Sequence, residues 1–249
     1  MKLGAITTIV CELCLAAATA FADDAAPTNA PPKPPTWDVS AAAGLTLTRG
    51  NSRTLLGTAN VLAVKKWELN ELDFGADGVY GESSGVRSAE QLHGFGQYNR
   101  MFTQRFYGYF RVDGLYDGVA DIDYRVTVGP GVGYYLIKAT NTTFRAEFGP
   151  GYIYEQDHDD GHRSYMTLRF AERFEQKITA VARIYESVEF LPQVDDFSNY
   201  IINSEAGVET AMSKKFSLLT YLQDWYHSDP APGRLKNDVK LVSAVKYKF

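Results

Sequence analysis

From Trp37 onward, apolar and polar residues alternate along the chain with a period of two. Tyr124, Val126, Val128, Pro130, Val132, Tyr134 and Leu136 share one parity; Arg125, Thr127, Gly129, Gly131, Gly133 and Tyr135 share the other. Phe144, Ala146, Phe148, Pro150, Tyr152 and Tyr154 oppose Arg145, Glu147, Gly149, Gly151 and Glu155. Met166, Leu168 and Phe170 oppose Thr167, Arg169 and Arg173, and Ile202, Ala206, Val208 and Met212 oppose Asn203, Glu205 and Glu209. In the same way Leu72, Phe74, Ala76 and Tyr80 oppose Glu71, Asp73 and Asp77. A period of two is the mark of a β-strand with one apolar face. The final stretch repeats it, with Leu241, Val245, Tyr247 and Phe249 on one parity and Lys246 and Lys248 on the other.

Turn signals separate these runs, and no long helical periodicity appears. The pattern predicts twelve strands, at 38–48, 54–65, 69–80, 89–101, 105–117, 122–137, 142–156, 163–175, 178–190, 199–213, 215–227 and 238–249. The second, fourth and eleventh alternate poorly: Leu55, Leu56, Leu62 and Val64 fall on both faces, as do Leu218, Leu219 and Leu222. The class is all-β. A soluble sandwich would also alternate, with its charges outward. The inverted reading, apolar groups to lipid and charges to a lumen, accounts for two further features. Tyrosines cluster near strand ends, as in the aromatic girdles of membrane barrels. The polar faces mix Gly and Thr with Arg and Glu, as a crowded interior requires. No apolar run after the first twenty-two residues is long enough for a membrane helix. A membrane location therefore demands a closed sheet, in which every backbone group is paired without water.

The expectation is a single antiparallel transmembrane β-barrel over residues 37–249. An even strand count puts both ends on one side, the periplasm. Short turns are then expected at 66–69, 102–104, 138–141, 176–177 and 213–214, and outer loops at 49–53, 81–88, 117–121, 157–162, 191–198 and 228–237. Tyr247 and Phe249 on the closing strand are expected to act as the signal read by the barrel assembly machinery. The plainer alternative is an edge strand that happens to end on an aromatic.

The front of the chain sets the compartment. Lys2 is followed by a mostly apolar stretch, and Ala20-Phe21-Ala22 offers a small-x-small cleavage site before Asp23-Asp24. Residues 1–22 read as a secretory signal peptide; the alternative, a membrane anchor, is opposed by the short run and by Glu12 inside it. Both cysteines, Cys11 and Cys14, lie in this segment, so the mature domain is expected to carry no disulfide. Residues 23–36, with prolines at 27, 31, 32, 34 and 35, read as an extended tether.

Candidate chemistry is sparse. Asp157-His158-Asp159-Asp160-Gly161-His162 gathers oxygen and imidazole donors, but calcium-loop spacing is incomplete, and a solvated outer loop is the favoured reading. Arg111, Arg125, Arg145, Glu147, Arg169, Arg173, Glu205 and Glu209 fall on candidate interior faces. They would line a pore or pair across it; near-balanced charge favours a packed, hydrated lumen. His93 and His227, with Ser88 and Ser228, are the material for a barrel hydrolase, but neighbours on a strand point to opposite faces and no Gly-x-Ser-x-Gly elbow is present. A net charge of −5 without a basic stripe argues against nucleic acid.

Three places resemble a known family. The stretches are Gly44-Leu45-Thr46-Leu47-Thr48-Arg49-Gly50-Asn51-Ser52, the glycine-rich pair Val128-Gly129-Pro130-Gly131-Val132-Gly133-Tyr134 and Glu147-Phe148-Gly149-Pro150-Gly151-Tyr152, and the run from His227-Ser228-Asp229-Pro230-Ala231-Pro232-Gly233 to Lys246-Tyr247-Lys248-Phe249. Together they resemble the YdiY-like family of salt-induced outer-membrane proteins. The resemblance implies a barrel, an outer-membrane location in contact with lipid and lipopolysaccharide, and a tie to stress. It implies no reaction, cofactor or catalytic residue. The expected role is structural or a small passive pore. The alternatives are a barrel enzyme acting on lipid or lipopolysaccharide and a soluble periplasmic barrel binding a small ligand.

Overall fold

The computed structural model describes residues 36–49, 53–158, 161–231 and 233–249. The expected signal peptide, nearly all of the Pro-rich tether, and residues 50–52, 159, 160 and 232 lie outside the described residues. Among those described, twelve strands follow one another: β1 (Trp37–Arg49), β2 (Arg53–Trp67), β3 (Asn70–Ser83), β4 (Val86–Met101), β5 (Phe106–Asp117), β6 (Ile122–Lys138), β7 (Thr142–Asp157), β8 (Gly161–Lys177), β9 (Ala182–Pro192), β10 (Tyr200–Ala211), β11 (Phe216–His227) and β12 (Asn237–Lys248). Each pairs antiparallel with its chain neighbours, and β1 pairs with β12, so the sheet closes into a barrel. No edge strand is left over, as a barrel requires.

Two connections differ from the sequence expectation. The loop expected at 81–88 shrinks to a tight turn, because β3 and β4 pair up to Ser83↔Val86. Ser84 and Gly85 take the left-handed backbone that such a turn demands, with φ of 53° and 82°. The turn expected at 176–177 lies instead between Lys177 and Ala182, and β9 starts later than the alternation suggests. The Thr179 hydroxyl fixes that position by accepting the amides of Val181 and Ala182 at 3.2 and 3.0 Å. Thr103 does the same for Arg105 and Phe106, and Ser213 for Lys215 and Phe216. In each case the residue before the hydroxyl, Phe102, Ile178 or Met212, also donates its amide across the turn. Three of the short turns are thus one device, a hydroxyl substituting for backbone acceptors.

The two faces are inverted relative to a soluble protein. Glu155 and Thr167 are 0% exposed, whereas Leu241 is 68% exposed. The exposed side chains of β6 and β7 are the apolar parity predicted from sequence, including Val126, Val132, Tyr134, Phe148 and Tyr152. Aromatic pairs ring the outside at both ends. Near the start of β1 and the end of β12 stand Trp37–Phe74, Trp67–Tyr98, Phe102–Phe106 and Phe216–Tyr247; near the long loops stand Tyr124–Tyr154 and Tyr200–Tyr226. Glu172 and Glu186 interrupt the outer band, sharing parity with Phe170 and Phe174 and with Ile184 and Val188; they occupy neighbouring register positions on β8 and β9.

The strands that alternate poorly do so for a physical reason. Ala42, Tyr185, Leu219, Tyr221, Val242 and Ala244 form a buried apolar cluster on the inner face of β1, β9, β11 and β12. Leu62 and Val64 of β2 also face inward, onto the lumen cavity. A strand apolar on both faces shows no contrast in sequence.

The glycine-rich pair has a structural cause too. Between β6 and β7 the ladder is registered at Val128↔Tyr152 and at Val132↔Phe148, and the positions between, occupied by Pro130 and Pro150, are not paired to each other. Proline has no N–H to give to a ladder. Each proline keeps its other neighbour, Phe110 for Pro130 and Leu168 for Pro150. On the inner face, a Cβ at Gly131 would overlap the Tyr109 ring and one at Gly133 the Tyr107 ring. The glycines make room for two tyrosines inside the barrel.

Candidate functional site: the charged lumen

Alternation on most strands aims the polar parity at one interior, so the lumen is built from the bottom up by pairing. On β5, Arg111 binds Asp113 through Nε and Nη2 at 2.8 and 2.5 Å and stacks on Phe95, 4.3 Å from the ring centre. Its Nη1 donates to Gln97 of β4 at 3.0 Å. His93 Nδ1 lies 2.9 Å from Asp77, and its Nε2 3.5 Å from Asp113. Glu147 of β7 accepts from the Tyr107 hydroxyl at 2.6 Å, from Gln97 at 3.0 Å and from Arg169 of β8 at 2.7 Å. Arg169 continues to Glu189 on β9 at 2.5 Å, which also accepts from Asn203. Below these, Arg173 binds Glu175, Arg183 joins Glu175 to Glu209, and Lys246 completes the row at 3.1 Å. Lys66 pairs with Glu71. Toward the loops, Arg125 pairs with Glu155, which also takes Arg163.

Arg111, Arg125, Arg145, Glu147, Arg169, Arg173 and Glu205 all line one cavity of about 550 Å³. Glu209 stands beside it, held by Arg183 and Lys246. Arg145 and Arg173 are direct cross-strand neighbours. Arg145 reaches across to Glu71 of β3, at 3.9 Å. Tyr247 and Phe249 are on the outer face instead: their rings pack edge to face at 4.9 Å, and the Phe249 amide donates to Val39 of β1.

The lumen is crossed near its loop end by contacts that the sequence did not reveal. His93 of β4 meets Trp225 of β11 edge-on, with centroids 5.6 Å apart. Arg125 Nη2 of β6 lies 3.4 Å from His227 Nδ1 of β11. Lys240 of β12 donates to Gln91 of β4 at 2.6 Å. Above this layer the β11–β12 connection folds in, with Ser228 and Ala231 buried. It is tied down by Arg163–Asp229 at 3.4 Å and Arg234–Asp121 at 2.9 Å. A cavity of only about 40 Å³ remains beneath it, lined by Asp117, Ile122, Pro230 and Ala231 among others. At the other end the main cavity reaches Lys66, Tyr135, Thr143 and Arg145, beside the short turns.

The remaining candidates disperse. His158 pairs with Asp123 at 3.1 Å and His162 stacks on Tyr154, while Asp159 and Asp160 lie outside the described residues. Among the described residues no grouping of three or more His, Cys, Asp or Glu is placed to hold a metal. Ser228 Oγ accepts the Tyr200 amide at 2.7 Å. In the 193–199 loop, the Ser198 hydroxyl and amide bind Asp196 and hold its carboxyl below the usual carboxylate range.

An apolar exterior between two aromatic girdles, around a lumen of paired charges, defines the class: a porin-like membrane β-barrel. Within it the chain belongs to the family described as protein of unknown function, DUF481, whose model matches residues 41–249. No curated protein matches the chain. Among solved structures, the chain is similar to the NanC porin (6% identity, TM-score 0.49, covering 85% of this chain and 97% of that one). It is also similar to the KdgM porin (8%, 0.47, covering 86% and 99%). The translocator domain of the autotransporter NalP from Neisseria meningitidis is a third (13%, 0.45, covering 86% of each).

Proposed function

We propose that this protein is an integral outer-membrane barrel of a Gram-negative envelope, with a structural or small passive-pore role and a lumen closed toward the loops. The termini and short turns face the periplasm, and the longer loops face outward, in contact with lipopolysaccharide. Tyr247 and Phe249 form the patch offered to the barrel assembly machinery. The role is not enzymatic. The tie to salt or envelope stress rests on the family resemblance in the sequence.

One observation carries the functional part: the layer His93–Trp225, Arg125–His227 and Lys240–Gln91 spans the lumen under the β11–β12 connection. An open pore needs an unobstructed wall, and this interior is bridged. Its charges are mixed along the wall, so no single sign dominates the field.

Purified full-length protein in planar bilayers should therefore give small, weakly selective conductance steps, or none. The double variant Trp225→Ala, His227→Ala should raise the conductance without loss of barrel content. A large, strongly anion-selective conductance from the unaltered protein would overturn the closure. Recovery of the protein from the soluble periplasm, without heat-modifiable gel mobility, would overturn the membrane assignment itself.

A further inference from the structure

The lumen cavity contains carboxylates that its cations leave unmatched. Glu71, Asp77, Asp113, Glu147, Glu175 and Glu189 each have a cationic or histidine partner. Asp73 and Glu205, which line the same cavity, belong to no ion pair among the described residues. Asp73 is 8% exposed, and its Oδ1 is buried without a hydrogen-bond partner. Glu205 has neutral partners, the Tyr185 hydroxyl and, at 3.4 Å, the Gln223 amide. A buried carboxylate without a partner is costly, and a ligand that supplies the missing donor removes that cost.

The wall around Asp73 specifies the shape of that donor. On β2, Val64 stands directly opposite Asp73, Leu62 opposite Gly75, and Asn60 opposite Asp77. Phe95 covers Gly75, where a Cβ would overlap its ring. An apolar strip therefore lies between two carboxylates four residues apart on one strand, roughly 13 Å at the usual rise of a strand. Glu205 approaches from β10, on the far wall. Acid, apolar strip and acid in a row match ammonium, methylenes and ammonium.

We propose that the lumen cavity is a binding site for a linear organic polyamine. One ammonium group sits on Asp73, the methylene chain lies along Val64, Leu62 and Phe95, and the distal ammonium lies between Asp77 and Glu205. Arg145 and Lys66, the two cations whose charge reaches Asp73, are paired with Glu71. The site deepens the proposed pore reading and rests on it only for the side of entry.

The test is calorimetric titration of the full chain in detergent with 1,8-diaminooctane, with 1,8-octanediol and magnesium chloride as controls. The diamine should bind at one site. Asp73→Asn and Glu205→Gln should each weaken it by about tenfold, the size of a lost charge-assisted contact. Val64→Asn, which changes no charge, should weaken it as well, and it keeps the proposal testable if Asp73→Asn does not fold. Equal affinity in the parent and all folded variants would overturn the site, as would displacement of the diamine by magnesium at matched ionic strength. In planar bilayers, block from the side of the termini alone supports both the site and the closure. Block from either side supports the site and sinks the closure.

Discussion

Val128 shows how far a single residue could be read. Its parity in sequence assigns it to the apolar face, and the outer face of β6 is where it stands. An arginine at Val128 or at Phe148 should cost about 2–4 kcal/mol near the bilayer midplane, measured by urea titration in lipid vesicles, whereas Thr127→Arg should cost less. Destabilisation alone would also follow in a soluble core, so the sharper measurement is quenching. Tryptophan at 128 should be quenched by brominated acyl chains and tryptophan at 127 should not; the reverse would invert the faces. Val128 is the cleaner probe because Glu172 and Glu186 already bring carboxyl groups to the outer band on β8 and β9. Asp73 is the opposite lesson. Its inward direction is legible from Leu72 and Phe74 beside it, but its unsatisfied Oδ1 is not, since that depends on where Lys66, Glu71 and Arg145 reach.

At the scale of the element, strands with one apolar face were legible and strands with two were not. β7 and β8 alternate because charge faces apolar groups across the wall; β2 and β11 do not, because Leu62, Val64 and Leu219 are wanted inside. Turn positions failed where one hydroxyl decides them. Thr179 moves the β8–β9 turn past Lys177, and the alternation of 178–190 carries no trace of that. Gly131 and Gly133 of β6 were legible as part of a motif, but their cause lies on β5. If Gly133 exists to admit the Tyr107 ring, Gly133→Val should destabilise the barrel by about 1–3 kcal/mol through overpacking. Tyr107→Ala in the same chain should recover part of that loss. Additive losses in a chemical-denaturation cycle would show that ring and glycine are independent.

At the scale of the whole molecule, closure of the sheet followed from an expected membrane location without any apolar helix, but the contacts that cross the lumen did not. Arg125 and His227 lie 102 positions apart, on strands that never pair, so no local pattern links them. The wall itself is not uniform. Among the described residues β1 and β12 are registered only from Ser40↔Lys248 to Ala43↔Val245, while β7 and β8 pair from Thr142↔Gln176 to Asp157↔Gly161. The β1–β12 junction is also the one that joins the most distant parts of the chain, and long closures form late. The barrel therefore has a weak staves-to-stave joint, and it should breathe there. In detergent, backbone amides of 45–49 and 238–243 should take up deuterium ahead of those in β7 and β8, because local opening begins where the fewest hydrogen bonds must break. A disulfide between cysteines placed at Ala43 and Val245 should slow that uptake. Uniform exchange around the ring would mean that the joint is as tight as the rest.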